Sequence, residues 1–365
     1  MGIPVSTPIL AGNEKKYLEE CITSGWISSE GPFVRRFEQE FADYIGVSQA
    51  GCAVCNGTAA LETALYAIGV KPGDEVIIPD FTIISCALAC LRLGAVPVLV
   101  DCEPRYWGMD VHAVESKITP KTRAIMAVHI YGSPVDMAPL LDLRKRYGLA
   151  IIEDIAEAIG VTYRGKRCGS LGDVAAVSFY ANKLVSCGEG GMVLSSSNEI
   201  MERARSYRNL CFGKEERFRH NDIGYNFRMT NLQAAVGCAQ LEQIDTFLRI
   251  KAKNGARYAE SLANRTDIRF MEFPPFASGV YWMYCIEVRE EARSVLRKLQ
   301  AAGIGSRPFF LGLHAQSVLK GKVVATGNYP CSDYAFQHGL YLPSGLTLTD
   351  EEIDRIIKTL CGVLK

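Results

Sequence analysis

The sequence predicts an α/β protein with a large, mostly parallel sheet and a smaller α+β domain at its carboxyl end. Three observations carry this prediction. Short, continuously apolar segments recur along the first two thirds of the chain, they alternate with segments of helical periodicity, and the pattern changes near residue 231. A strand covered on both faces reads as an unbroken apolar run, so these runs indicate a sheet between layers of helix.

The elements follow in order. Residues 13–24 and 33–45 place apolar side chains three and four apart, as surface helices do. Gly51–Cys55 is a short apolar strand, and Asn56-Gly57-Thr58 leads from it into a helix that ends near Gly69. KPGDEV (71–76) supplies a Pro-Gly turn before the strand VIIP (76–79). Further strands are expected at 97–100, 124–129 and 149–153, each separated from the next by a helical segment, and the sheet continues through 175–180 and 191–195. Residues 231–264 read as one long helix with the apolar stripe LQAAVGCAQLEQI, followed by a strand at 280–288, a helix at 293–303 and a last amphipathic helix at 348–364. The domain boundary is placed at 245, giving a large α/β domain over 1–245 and a small α+β domain over 246–365.

Composition narrows the classes of function. With 48% hydrophobic and 22% charged residues among 365, the chain can bury a substantial core. Lys plus Arg equal Asp plus Glu at 40 each, so no charge excess exists to draw the molecule to nucleic acid or an acidic membrane. The thirteen cysteines are odd in number, and Cys86, Cys90, Cys238 and Cys285 sit in apolar runs, where a free thiol behaves as a small core residue. The single C-x-x-C pair, Cys52 and Cys55, has no second pair and reads as strand, so no metal site is expected. The start MGIPVSTPIL lacks signal-peptide features and meets the myristoylation pattern only loosely through Ser6. No apolar run reaches the length of a membrane span, and a cytoplasmic location is expected.

Lys183 is the centre of the chemical reading. It follows an apolar strand and precedes Gly188, Gly190 and Gly191, which allow backbone to approach a ligand closely. An amine in a poorly hydrated pocket gives up its proton more readily and can form a Schiff base. Asp154 stands at the carboxyl end of the strand before Ile155, where open α/β sheets place ligand groups, and a carboxylate there can keep a pyridinium nitrogen protonated. Asn56-Gly57-Thr58 joins a strand to a helix, so its N–H groups and the helix start can hold a phosphate. Each feature alone has a plainer explanation: a surface lysine, a helix cap, an ordinary turn. Their coincidence at strand ends supports the chemical one, a pyridoxal-phosphate site. GxxxxGK[ST], HExxH and G-x-S-x-G are absent, and Gly188-Glu-Gly-Gly191 lacks dinucleotide-fingerprint spacing.

The order NGT (56–58), EDIAEA (153–158), SFYANK with CGEGGM (178–192) and YNFRMTN (225–231) resembles the sugar-nucleotide aminotransferases named after DegT, DnrJ, EryC and StrS. The resemblance runs from Pro8 and WISSEGPFVRRFE (26–38) to the Leu-Pro at 342. It implies the aspartate-aminotransferase-like architecture (fold-type I), pyridoxal 5'-phosphate as cofactor, and a homodimer with a shared active site. Lys183 would carry the Schiff base and move the proton. Asp154 would pair with the pyridine nitrogen and Glu157 would lie near the ring oxygen. Gly57, Thr58 and Ser178 would bind the phosphate, joined by Asn226 from a second subunit. Ser29, Arg307 and His314 are candidates for contacts to donor or sugar nucleotide.

VHIYG (128–132), GYNFRMTN and SRPFF (306–310) are most similar to family members that aminate GDP-4-keto-6-deoxymannose with glutamate, which implies a place in O-antigen or other polysaccharide biosynthesis. A UDP-linked 4-keto or 3-keto sugar is the near alternative. A pyridoxal-phosphate lyase would need a mobile nucleophilic cysteine, for which Cys187 and Cys211 are the loop candidates, and a non-catalytic regulator is the third reading. One departure stands out. PDFTII places Ile83 where the family commonly has an aromatic residue against the cofactor ring, with Phe81 as a possible substitute. Lysine at 183, where some relatives carry histidine and remove a hydroxyl, favours transamination.

Overall fold

The apolar runs become strands of one sheet in the computed structural model, which describes residues 2–213 and 218–364. The strands are β1 (Cys52–Val54), β2 (Glu75–Pro79), β3 (Val96–Val100), β4 (Thr122–Val128), β5 (Ala150–Asp154), β6 (Val174–Ser178) and β7 (Gly191–Leu194). Their order across the sheet is β1-β7-β6-β5-β4-β2-β3. Neighbours from β6 through β5, β4, β2 and β3 are parallel, whereas β7 runs antiparallel to both β6 and β1.

The helical rhythm of the earlier connections stops at β5. Residues 179–190 return from β6 to β7 without a helix, and a chain that turns back without a crossover must enter the sheet antiparallel. Between β5 and β6 the chain likewise makes no helix. It forms a small hairpin of Thr162–Tyr163 and Lys166–Arg167, which Ala277–Ser278 extends to three strands.

Both faces of the main sheet are buried, as continuous apolar strands require. On one face the helix Pro32–Ile45 buries Phe33, Val34, Phe37, Phe41, Ala42 and Ile45, a three-and-four spacing, and Phe37 and Phe41 pack on Phe179 at 4.9 and 5.1 Å. Burial of each such aromatic contributes roughly 1.5–3 kcal/mol. On the other face the helices Gly57–Ala67 and Ser85–Arg92 present small side chains, among them Ala60, Ala64, Cys86 and Ala87, and so approach the sheet closely.

The stretch read as one helix over 231–264 is two, Asn231–Leu241 and Ile244–Leu262. A capping box of Thr230 and Gln233 starts the first. Glu242 marks its end and is tied by Asn13, Tyr17 and Arg36 to the amino-terminal helices, while Ile244 begins the next helix. The apolar stripe continues through the break, because Leu241 and Ile244 are both buried, and so hides it from periodicity.

A second sheet, antiparallel throughout, has the order β8 (Ile268–Phe270), β9 (Tyr284–Val288), β11 (Gly339–Leu342), β10 (Arg307–Pro308). Its strand β9 is shorter than the expected 280–288, since residues 280–283 are the approach to it. A separate core forms here from Tyr258, Leu262, Tyr284, Ile286, Val295, Leu299, Ile353, Ile356 and Leu360. Ile3 joins that core and pairs with Ile304. Among the described residues no helix is long and apolar enough to cross a membrane.

Candidate active site

The carboxyl ends of the parallel strands open into a cavity of about 720 Å3. Each polar group arrives there for a topological reason. Asp154 is the last residue of β5 and Ser178 the last of β6. Asn56, Gly57 and Thr58 follow β1 into its helix, and Lys183 lies on the helix-free return from β6 to β7. All six line the cavity, together with Thr82, Ile83, Glu157, Asn182, Trp282 and Tyr341. Open α/β sheets gather ligand groups at this end of their strands.

The Lys183 amine lies 3.6 Å from Glu157 Oε1 and 4.0 Å from the centre of the Trp282 ring, with only 11% of its side chain exposed. Trp282 donates its indole N–H to the Asn182 carbonyl at 2.9 Å, so it holds the backbone next to Lys183 while its face meets the amine. Glu157 accepts the Tyr131 N–H at 2.8 Å through its other oxygen. Burial pushes the Glu157 carboxyl up to about 7, against the opposing pull of the Lys183 charge.

Asp154 is buried with few partners. Its carboxylate accepts the Ala156 N–H at 2.9 Å and the Cys86 thiol at 3.6 Å. Burial raises its pKa above the usual carboxylate range, and the Ala156 N–H and the Lys183 charge oppose that rise. A cationic N–H delivered from the cavity would stabilise its charged form. The neighbouring Glu153 faces the other way, as strand alternation requires, and is saturated. It accepts N–H groups from Gly169, Leu171 and Gly172 at 2.7–2.8 Å and faces His129 Nε2 at 3.1 Å. His129 Nδ1 accepts the Val135 N–H, so that nitrogen carries no proton and Nε2–H points to Glu153. With Cys168 these residues form a close buried cluster, but their donors and acceptors are already used in bracing the strand that carries Asp154.

The third component is an anion cradle. Asn56 caps the helix by accepting the Ala59 N–H at 2.8 Å, and Thr58 Oγ1 meets Ser85 Oγ at 3.0 Å. A side chain at Gly57 would bring its Cβ to 2.7 Å from that of Ser178, so only glycine lets the helix start lie against the end of β6. The first N–H groups of a helix have no intrahelical acceptor and carry partial positive charge, which suits a phosphate. Similarly, Gly191 abuts the Asn56 carbonyl at a distance of 2.4 Å from its would-be Cβ, which closes the base of the site. An amine, an isolated buried carboxylate and an anion cradle in one cavity fit a phosphorylated ring cofactor that reacts with a lysine.

Other sequence candidates divide. Ile83 lines the cavity and is 41% exposed, whereas Phe81 is buried against Tyr131, Phe309 and Phe310 and cannot substitute for an aromatic at 83. Asn226, Ser29, Arg307 and His314 do not line the cavity of this chain. Asn226 is exposed and pairs with Asn209, and Ser29 lines a separate pocket with Asn209, Arg208 and Arg228. Arg307 lies exposed on β10, beside yet another pocket. His314 is engaged elsewhere: its backbone N–H and Nδ1 meet Asp80 at 2.7 and 2.8 Å, and its ring stacks on Tyr329. Cys187 and Cys211 are buried, and burial pushes the Cys187 thiol up, so it lacks the accessibility a nucleophile needs. Trp282 and Tyr341 were not singled out in the sequence. The signal for Trp282 was an indole inside an apolar run, a group whose N–H demands a partner when buried.

Comparison with known proteins agrees with this geometry. A model of the DegT/DnrJ/EryC1/StrS aminotransferase family matches residues 8–361. A GDP-perosamine synthase of Caulobacter vibrioides is 42% identical, covering 99% of this chain and 98% of the relative. One from Vibrio cholerae is 39% identical, covering 100% and 98%. The solved structure of DesV from S. venezuelae superposes with a TM-score of 0.91 at 33% identity, covering 97% of this chain and 94% of that one.

Proposed function

Because the chain belongs to the DegT/DnrJ/EryC1/StrS aminotransferase family, we propose that it is a pyridoxal-phosphate aminotransferase that makes GDP-perosamine. It moves the amino group of glutamate to the keto carbon of GDP-4-keto-6-deoxymannose, in the cytoplasm. The observation that carries this reading is Lys183, enclosed between Glu157 and Trp282 at the end of the sheet, in a chain whose full length matches GDP-perosamine synthases.

When bound, pyridoxal phosphate supplies a reactive aldehyde carbon and an electron-withdrawing ring. The chain's own residues do the rest. Lys183 would hold the cofactor through its amine and would be the group that carries the proton at the substrate carbon. Asp154, buried and short of partners, would pair with the protonated ring nitrogen, and Glu157 would lie near the ring oxygen. Gly57, Thr58 and Ser178 would hold the phosphate at the helix start. Ile83 gives the ring an aliphatic contact. Trp282, Phe310 and Tyr341 line the same cavity as the amine with aromatic surface.

The reading includes a homodimer. Trp26, Ile27, Ile223 and Tyr225 are large apolar side chains left 42–76% exposed, on segments that flank Asn226 and Ser29. A second copy would cover them and bring Asn226 of the partner subunit to the phosphate. Ser29 shares that neighbourhood, whereas Arg307 lies on the second sheet. The test is product analysis. Purified protein with pyridoxal phosphate and glutamate should convert GDP-4-keto-6-deoxymannose to a product with the mass of the 4-amino sugar. Equal or faster amination of a UDP-linked keto sugar would overturn the GDP assignment.

A further inference from the structure

We propose that Trp282 is a positioning residue that aims the Lys183 amine, and that the buried Lys251 holds Trp282 in place. Trp282 grips Lys183 at two points. Its indole face lies 4.0 Å from Nζ, and its N–H holds the Asn182 carbonyl, one residue before Lys183 in the chain. The ring itself has little freedom: it is 5% exposed and stacks nearly parallel on Tyr131, 12° between planes at 6.1 Å. An aromatic face attracts a nearby amine charge and limits where the flexible lysine tip can go.

Lys251 explains how that grip is maintained across the two sheets. Its helix, Ile244–Leu262, packs in the second core, yet its ammonium is buried and directed at two backbone carbonyls, those of Trp282 (2.8 Å) and Ser344. The Tyr284 ring lies 5.6 Å away, the Tyr284 hydroxyl donates to the Lys251 carbonyl, and the Cys285 thiol is the other titratable group near it. Burying an ammonium is costly, so a lysine spent on two carbonyls marks a place where backbone is pinned. Ser344 extends the pin, because its hydroxyl accepts the Tyr284 N–H and donates to the Leu342 carbonyl. The pinned segments are the approach to β9, which bears Trp282, and the exit of β11, whose Tyr341 lines the cavity. One buried cation thus braces both the segment that bears Trp282 and the end of the strand that bears the cavity-lining Tyr341.

This inference rests on the reading of Lys183 as the residue that holds the cofactor. Its test separates covalent capture from plain binding. The growth of the Lys183-dependent visible band is followed after pyridoxal phosphate is mixed with cofactor-free protein. The affinity for pyridoxamine phosphate, which the amine cannot capture, is measured in parallel. Misaiming a reactive group by about an ångström costs on the order of a hundredfold in rate, so Trp282→Ala should slow the band about thirtyfold or more and Lys251→Met about fivefold. Trp282→Phe, which keeps a ring face, should slow it only about threefold, and all three variants should bind pyridoxamine phosphate within about twofold of wild type. An unslowed band in Trp282→Ala, or equal losses for both ligands, overturns the positioning role of Trp282, and an unchanged rate in Lys251→Met overturns that of Lys251. Should Trp282→Ala not fold, the Trp282→Phe split between the two ligands decides. A wild-type chain with no Lys183-dependent band overturns the functional reading and this inference together, whereas a normal wild-type band with unaffected variants overturns the inference alone.

Discussion

The Lys183 amine lies 3.6 Å from Glu157 Oε1, and both side chains are largely shielded from water. This pairing places a carboxyl, raised by burial to about 7 from the ordinary 4.5, beside the amine on which the proposed chemistry depends. The sign of its effect on stability follows. The folded chain binds the Glu157 proton more tightly than the unfolded chain, so the contribution is present below about pH 4.5 and lost as pH rises to 7. Cofactor-free wild type should therefore lose about 3 kcal/mol relative to Glu157→Gln between these limits, with the difference level above them. Denaturant melts at pH 5, 6 and 8 measure it, and parallel curves for the two proteins would refute it.

Lys251 gives the opposite slope. Burial pushes its ammonium down to about 7, so the unfolded chain binds that proton more tightly and the penalty is fully present below pH 7. As pH rises from 7 towards 10 the penalty is relieved. Wild type should gain up to about 4 kcal/mol on Lys251→Met over that range. The comparison must be made as a difference between the two proteins, because the buried thiols and tyrosines titrate in both. A gap that is constant with pH would contradict the assignment of a charged, buried Lys251.

Ile83 should be improvable. It would offer a bound cofactor ring an aliphatic contact where an aromatic side chain would stack, and it has room, being 41% exposed in the cavity. An added stacking contact is worth about 0.5–1.5 kcal/mol, so Ile83→Tyr should lower the dissociation constant for pyridoxal phosphate roughly threefold to tenfold. Equilibrium dialysis checks this, and an unchanged constant would show that ring contact is made elsewhere.

Asp154→Asn keeps the size of the side chain and removes its charge. The ring nitrogen would then lose the partner that keeps it protonated, and the reaction with glutamate should slow about a hundredfold or more. Pyridoxamine phosphate should still bind, since the anion cradle is untouched. Stopped-flow absorbance with glutamate separates the two effects. A rate near that of wild type would remove Asp154 from the chemistry.

Much of the main sheet was legible because its strands are continuous apolar runs, and each of the seven falls where such a run was read. The placement of Lys183, Asp154, Gly57, Thr58 and Ser178 around one cavity was legible for a related reason: strand ends and their first loops are fixed once the strands are. What escaped the sequence depends on contacts distant in the chain. The reversal of β7 is decided by a connection too plain to form a helix, not by the strand's own residues. The helix break at Glu242 is masked by an apolar stripe that runs through it. His314 looked like a substrate contact, yet it meets Asp80, 234 residues away in sequence. Trp282 precedes strand β9 of the second sheet and Lys251 lies on the helix Ile244–Leu262, so the contacts that link them to Lys183 are distant in the chain.

The most direct test of the central claim is the absorbance spectrum of the purified protein with pyridoxal phosphate, before and after glutamate, for wild type and Lys183→Ala. The account predicts a visible band in wild type that is absent from Lys183→Ala, is bleached by glutamate and returns on addition of GDP-4-keto-6-deoxymannose. A wild-type spectrum that matches that of Lys183→Ala and does not respond to glutamate would contradict it.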